Sequence, residues 1–366
     1  MPIFRGAKVK RWGIFFSVLV LASVLLSACG GNGLSILDPQ GPVADKEAGL
    51  FWFILIVATV VFVVVETILI VSIIRYRERP NSPMPKQIHG NNTIEILWTV
   101  APSIFLFAVL IGTIYTMFSL NQPAGPALNI KVEAHQWWWQ FTYENDGNVT
   151  TADELVVPTN TVVHLDLESQ NVIHSFWVPE LTGKTDVIPG HANTKWFEAT
   201  NPGTYPGECA EFCGLEHAEM KFSVIAKSPN DYMTWLSGQQ QAAEKSTSSN
   251  AMAGEQIFTT TGGCVGCHGI VGVDLTSFNQ PNTFIGPNLT HFGSRRTIAG
   301  GVLSWNPQSC VVKGTGSSAQ IVNEQSCGLW QWLHDPQGIK PGNDMAIGQL
   351  TDTQIAQLVA YLESLT

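Results

Sequence analysis

Charge is scarce in this sequence. Of its 366 residues only 13% are Asp, Glu, Lys or Arg, against 45% hydrophobic residues. So little charge is unusual for a fully soluble chain and implies segments that live in lipid. Positive charge is the scarcer sign: 19 Lys and Arg face 29 Asp and Glu, a formal net charge of −10. That balance argues against nucleic acid and suits a cationic protein partner. Histidine is also sparse, with nine in all and none in either of the two long apolar runs, residues 50–74 and 94–118. A haem or copper centre inside the bilayer would need imidazole there, so this chain holds none at that depth.

The two runs, LFWFILIVATVVFVVVETILIVSII and IEILWTVAPSIFLFAVLIGTIYTMF, define a helical hairpin expected over residues 45–120. Each would be roughly 37 Å long as a helix, enough to cross a ~30 Å hydrocarbon core with tilt. The loop between them carries Arg75, Arg77, Arg79 and Lys86 against Glu78 alone. The excess of positive charge marks that loop as cytoplasmic, with both ends of the chain outside. Glu66, within the first run, should face protein or be protonated, since an unpaired charge there is costly. Residues 1–28 read as a secretory signal: a basic start at Arg5, Lys8, Lys10 and Arg11, then the apolar run WGIFFSVLVLASVLL. Its end, LLSAC, resembles the lipobox of bacterial lipoproteins, which implies cleavage before Cys29 and attachment of lipid to its sulfur.

The stretch GECAEFCGLEHAEM, residues 207–220, gathers Cys209, Cys213, His217 and Met220. Structural zinc sites almost never use methionine, whereas thiolate, imidazole and thioether together select copper. A single blue-copper ion would need one cysteine and leave the second surplus; two copper ions sharing both sulfurs would use it. A second imidazole is offered upstream by His174 in QNVIHSFWVPEL. The plainer reading is a Cys209–Cys213 disulfide with an incidental histidine and methionine.

HSFWVPEL, KTDVIPG and PGECAEFCGLEHAEM resemble subunit II of cytochrome c oxidase around its binuclear copper centre, a resemblance spanning roughly residues 45–236. It implies copper ligation by His174, Cys209, Cys213, His217 and Met220, with Glu211 giving its backbone carbonyl. It implies too that the side chains of Glu211 and Asp186 hold a magnesium or manganese ion shared with subunit I. Lys221 stands where proline often follows the methionine, a departure that removes no donor. In IEILWT, Glu95 occupies the position the family associates with the mouth of a proton-uptake path; an ordinary interfacial acid is the alternative.

Beyond residue 128 the pattern becomes period-two: NIKVEAHQWWWQFTY, ELVVP, TVVHLDLES, VIHSFWV, TKWFEAT and MKFSVIAK, separated by turn residues. These predict an antiparallel sandwich over 128–228, which the resemblance makes an all-β cupredoxin-like Greek-key domain. Three consecutive tryptophans cannot share one face of a strand, so at least one points away from the core. The family places the aromatic through which electrons arrive at this position, which falls on Trp137.

PNDYMTWLSG reads as a short docking helix, and 238–250 as a flexible polar linker. CVGCH, residues 264–268, is the attachment motif of c-type haem: Cys264 and Cys267 bind the haem covalently and His268 binds its iron. KPGNDMAIG offers Met345 as sixth ligand, methionine opposite histidine being the pattern of cytochromes c; His291 and His334 are the alternatives. GPNLTHFGSR, KPGN-x-M and the closing helix TDTQIAQLVAYLESL resemble the small all-α class I cytochrome c domain fused to caa-type oxidase subunits II, here over 251–366. That resemblance assigns Pro287 as carbonyl acceptor for the proximal imidazole, while Ala346 departs from the usual proline after the methionine. Arg295 and Arg296 are candidates for the haem propionates. Of seven cysteines, one is lipidated, two meet copper and two meet haem, leaving Cys310 and Cys327 for a disulfide outside the membrane.

The resemblance thus implies subunit II of a respiratory oxidase, expected to carry two copper ions and one covalent haem c. The resemblance implies partnership with subunit I, with subunit III, with membrane lipid and with an external cytochrome c or similar small redox donor, in a bacterial cell membrane. It would accept electrons and pass them to the partner that reduces oxygen. A membrane-anchored carrier bound to no oxidase is the rival reading. A nitrous oxide reductase would need many more than nine histidines, and quinol oxidase subunits II normally lack the copper donors that are intact here.

Overall fold

The computed structural model describes residues 34–366 apart from 81, 82, 85, 122, 124, 245 and 276–284; the leader and Cys29 lie outside the described residues. Helix α1, Pro42–Arg75, starts on a proline in its first turn, where the missing N–H costs no hydrogen bond. Its 34 residues make about 51 Å, more than a bilayer core needs. The surplus is at the start: Val43, Ala44 and Ala48 are buried, whereas the side chains from Phe51 onward are mostly exposed and apolar. The hydroxyls of Thr59, Thr67 and Ser72 each donate to a carbonyl four residues back, so they present no unsatisfied polar group to lipid. Helix α2, Asn92–Ser119, is capped by the Asn91 side chain, and Glu95 accepts the Asn91 N–H at 3.2 Å. Both helices are long and apolar enough to cross a membrane.

The sandwich has ten strands: β1 Leu128–His135, β2 Trp138–Tyr143, β3 Val149–Ala152, β4 Glu154–Pro158, β5 Val163–Ser169, β6 His174–Val178, β7 Thr182–Val187, β8 Asn193–Phe197, β9 Gly203–Cys209 and β10 Lys221–Lys227. They form two five-stranded sheets, ordered β3-β2-β1-β5-β8 and β4-β10-β9-β6-β7. The sheets are mixed and not purely antiparallel, because β1 pairs with β5 and β4 with β10 in parallel. Parallel neighbours need a connection longer than a hairpin, which β2–β4 supply between β1 and β5. Alternation sends Ile130, Val132 and Ala134 of β1 and Leu165 and Leu167 of β5 into the core. There Phe222 meets Trp139 and Phe176 at ring-centroid distances of 5.3 and 4.7 Å.

Helix α3, Pro229–Gln239, buries Tyr232 and Leu236. Of the expected linker's described residues only 240–244 and 246–248 are irregular, since its ends are taken up by α3 and by α4, Ser249–Gln256, which Ser248 caps. The described part is tied down as well: the Ala243 N–H donates to Val271 at 3.0 Å. The C-terminal domain continues with α5 Gly328–His334, α6 Pro336–Ile339 and α7 Asp352–Ser364. A Cβ on Gly254 would lie 2.1 Å from the Gln357 carbonyl oxygen, so only glycine lets α4 and α7 cross this closely. On α7, Ile355, Leu358, Val359 and Leu362 are buried. The domain is not wholly helical. The polar segment 311–326 folds as a short ladder, Val312–Lys313 against Gln320–Ile321, closed at its base by a Cys310–Cys327 disulfide.

Candidate functional site: a sulfur-rich nest beside a cavity lined by CVGCH

Adjacent strands explain how distant residues meet. Strand β9 lies between β10 and β6 in its sheet; Cys209 ends β9, Met220 directly precedes β10, and His174 opens β6. The two sulfurs, Cys209 Sγ and Cys213 Sγ, stand 3.7 Å apart, nearly twice the length of a disulfide bond. Cys209 Sγ has His174 Nδ1 at 3.9 Å and the Glu211 carbonyl oxygen at 3.2 Å. Cys213 Sγ has His217 Nδ1 at 3.6 Å and Met220 Sδ at 3.8 Å. Each sulfur therefore has one imidazole nitrogen and one further donor, in two matching halves that share the sulfur pair.

The protonation chemistry suits a soft cation. The Cys209 thiol is pushed well down, chiefly by its bond with Cys213, and Cys213 is pushed up by the same bond, so one sulfur is ready to be a thiolate and a metal would displace the remaining proton. His174 is fully buried, and its Nε2 is 3.0 Å from Asn171 Oδ1. The ring donates Nε2–H to that amide oxygen and keeps the Nδ1 lone pair toward Cys209, the kind of outer contact that orients a ligating histidine. Asn171 was not singled out from sequence; its place three residues before His174 was the available signal. The donors fit copper.

Trp137 braces this loop from the neighbouring connection. Its Nε1 donates to the Cys213 carbonyl at 3.1 Å, beside the Gln136 amide at 2.7 Å. The three tryptophans diverge: Trp139 enters the core, Trp138 stacks on His135 at 4.4 Å, and Trp137 is only 8% exposed. Glu211 is half-buried, with its carbonyl on the sulfur side, while Asp186 is exposed on β7 opposite Ser175. Among the described residues the cluster of three or more His, Cys, Asp or Glu side chains close enough to hold a metal is His174, Cys209 and Cys213, which includes neither carboxylate. Glu95 is engaged in capping α2, and Glu66 is half-buried on α1.

A cavity of about 220 Å³ lies where the sandwich meets the C-terminal domain; Cys264, Cys267, His268 and Met345 line it from one domain, Trp137 and Trp138 from the other. His268 Nδ1 donates to the Pro287 carbonyl at 2.9 Å, leaving Nε2 as the free ligating nitrogen. Burial lowers the pKa of His268, which keeps the ring neutral and able to bind a metal. Beside the ring, a Cβ on Gly286 would come within 2.5 Å of His268 Cε1. A largely apolar lining, two thiols, an imidazole, a thioether and the half-buried Arg295 cation fit a flat macrocycle with acidic side groups. The alternative ligands are turned to other work: His291 Nε2 lies 3.2 and 3.1 Å from the carbonyls of Gln239 and Gln241, and His334 stacks on Trp330 at 4.5 Å. Of the two arginines, only Arg295 lines the cavity; Arg296 reaches Thr204 of the sandwich at 3.0 Å.

Known proteins match this chain from end to end. Three family profiles follow one another along it: cytochrome C oxidase subunit II, transmembrane domain, over residues 31–116; cytochrome C oxidase subunit II, periplasmic domain, over 148–227; and cytochrome c over 251–366. The chain is 36% identical to cytochrome c oxidase subunit 2 of Alkalihalophilus pseudofirmus over 359 residues, covering 96% of each chain. It is 35% identical over 376 residues to the same subunit of Bacillus sp. strain PS3, covering 97% of this chain and 98% of that one. The crystal structure of the periplasmic domain of subunit II of cytochrome oxidase of Bradyrhizobium japonicum is 28% identical and covers 32% of this chain and 96% of that one, with a TM-score of 0.31. With its two membrane-spanning helices, copper-binding sandwich and haem-binding cytochrome c domain, this chain belongs to the cytochrome c oxidase subunit 2 family.

Proposed function

We propose that this chain is the electron-accepting subunit of a respiratory oxidase, holding two copper ions in the sulfur nest and one covalently bound haem c in the cavity. When bound, the haem and the copper pair would supply reversible one-electron chemistry between an external cytochrome c donor and subunit I. One observation carries the reading: the two-half arrangement around Cys209 and Cys213, 3.7 Å apart, with the cavity lined by Cys264, Cys267, His268 and Met345 across Trp137 from it. A single ion would leave one half idle.

The chain's own residues have distinct tasks. Cys209, Cys213, His174, His217, Met220 and the Glu211 carbonyl would hold the copper ions. Cys264 and Cys267 would anchor the haem, His268 and Met345 would bind its iron, and Pro287 orients the His268 ring. Trp137 spans the separation, its indole braced on the copper loop and its ring at the edge of the haem cavity. Arg295 supplies the cation for a haem carboxylate.

The positive charge of the loop between the spans supports copper and haem domains outside the membrane, with Cys29 as a lipid anchor and lipid around α1 and α2. Glu211 and Asp186 offer hard oxygen donors that suit magnesium or manganese at the contact with subunit I. Glu95 sits where a proton path could open, although its bond to Asn91 also explains it. Subunit III completes the assembly.

The test is oxygen uptake by the purified complex, driven by reduced cytochrome c. Cys213→Ser should lower uptake at least a hundredfold while haem c remains reducible by the donor. Uptake within twofold of the parent would refute the proposal.

A further inference from the structure

Lys340 has no place in the ligand sets, yet it is one of the most completely enclosed charges in the chain, 3% exposed. Its ammonium donates to three carbonyls: Trp137 at 2.7 Å, Glu219 at 2.9 Å and Ala299 at 2.9 Å. An ammonium has three N–H donors, so the cage satisfies all of them without a carboxylate. Two acceptors belong to the sandwich and one to the C-terminal domain, which also supplies Lys340. The two sandwich carbonyls are informative: one belongs to the tryptophan beside the sulfur nest, the other to the residue before Met220.

The surroundings are shaped for this bridge. Gly300, with φ +71°, lies against it; a Cβ there would be 2.4 Å from the Lys340 Nζ and 2.8 Å from the Trp137 carbonyl oxygen. The Gly300 carbonyl accepts the Lys221 N–H at 2.9 Å. Farther along the same seam, Glu154 accepts the N–H groups of Arg296 and Thr297 at 2.6 and 3.1 Å. Two residues after Lys340, a Cβ on Gly342 would meet the Trp137 ring at 3.5 Å, and Met345 follows three residues later on the cavity wall.

We propose that Lys340 is a positioning residue, an interdomain clasp that fixes the cytochrome domain over Trp137 and reserves this face of the copper sandwich for the chain's own haem. A free donor then reaches copper only through the haem, one electron leaving the reduced haem for each electron gained by the oxidised copper pair, with no proton exchanged. The inference rests on the functional reading above, because the clasp matters to electron flow only if both centres are filled.

The experiment compares the purified complex with its Lys340→Met variant. Copper and haem contents are measured first, since they report on the functional reading independently of the clasp. Amide hydrogen exchange is then followed at Lys221, Arg296 and Thr297, whose N–H groups cross the seam, with the α7 core as internal reference. Rapid reduction gives the haem-to-copper transfer rate. With the clasp cut, seam amides should exchange at least tenfold faster and internal transfer should slow at least tenfold, while reduction of the haem by its donor and exchange in α7 stay unchanged. Seam exchange and internal transfer both within twofold of the parent would overturn the proposal. Should the methionine variant lose its cofactors, Gly300→Ala, which crowds the same ammonium, is judged by the same two outcomes.

Discussion

Replacing Asn171 tests whether the sulfur nest is a metal site or only a sulfur-rich turn. His174 is wholly buried, and its Nε2–H has the Asn171 amide oxygen as partner at 3.0 Å. Without that acceptor the ring can move its proton to Nδ1, which faces Cys209 Sγ at 3.9 Å, and the metal must then displace it. Outer partners of this kind are worth about 10- to 100-fold in metal affinity, or about 1.4 to 2.7 kcal/mol. Where a variant falls depends on water. Asn171 is exposed, so in Asn171→Ala a water takes over as acceptor and the loss should be near tenfold. Asn171→Leu has similar bulk without an acceptor, excludes that water and should approach a hundredfold. The assay is competition of the purified complex against a copper chelator of known affinity, followed by the copper-thiolate absorption. Parent, alanine and leucine forms agreeing within twofold would refute the reasoning, as would a larger loss in alanine than in leucine.

Two further outcomes follow from buried groups. Burial raises the Asp153 pKa from 3.8 to about 6, opposed by the Trp139 N–H it accepts and by the Lys340 and Arg295 cations. The folded chain then holds this proton more tightly than the unfolded chain, so the group's contribution to stability is greatest below about pH 4 and is lost as pH rises to about 6, by about 3 kcal/mol. Asp153→Asn should flatten thermal stability across that interval, and an unchanged slope would show that Asp153 titrates elsewhere. The Cys310–Cys327 bridge closes a loop of sequence separation 17, which chain entropy values at about 3 kcal/mol; Cys310→Ala with Cys327→Ala should lower the unfolding free energy of the cytochrome domain by about that amount in denaturant titration, and no change would mean that the bridge is not closed in the purified protein.

What the sequence made legible was whatever is local. Four of the side chains proposed as copper donors lie within fourteen residues, and CVGCH within five, so the proposals for them start from spacing. The membrane helices read from unbroken apolar runs, although α1 extends beyond its run because its first turns bury Val43, Ala44 and Ala48 against protein. The sandwich strands read from alternation, but alternation is silent about direction, which is why two parallel pairings emerged only in the fold. Asn171 was missed because one polar residue in a turn looks like every other turn residue until the imidazole beside it is placed. Lys340 was invisible for a stronger reason. Its partners are backbone carbonyls from three separate segments, and a carbonyl leaves no mark in sequence. The docking of the two redox domains was hidden likewise, since a polar linker suggests freedom whereas Ala243, His291 and Glu154 tie the domains together.

The most direct test of the account is a count of metal per chain. In the purified complex, elemental analysis combined with a haem c assay on this separated chain should give two copper atoms and one haem, and replacing Cys209 and Cys213 together by serine should remove both copper atoms and leave the haem. One copper atom per chain, or copper retained in the double-serine form, would contradict it.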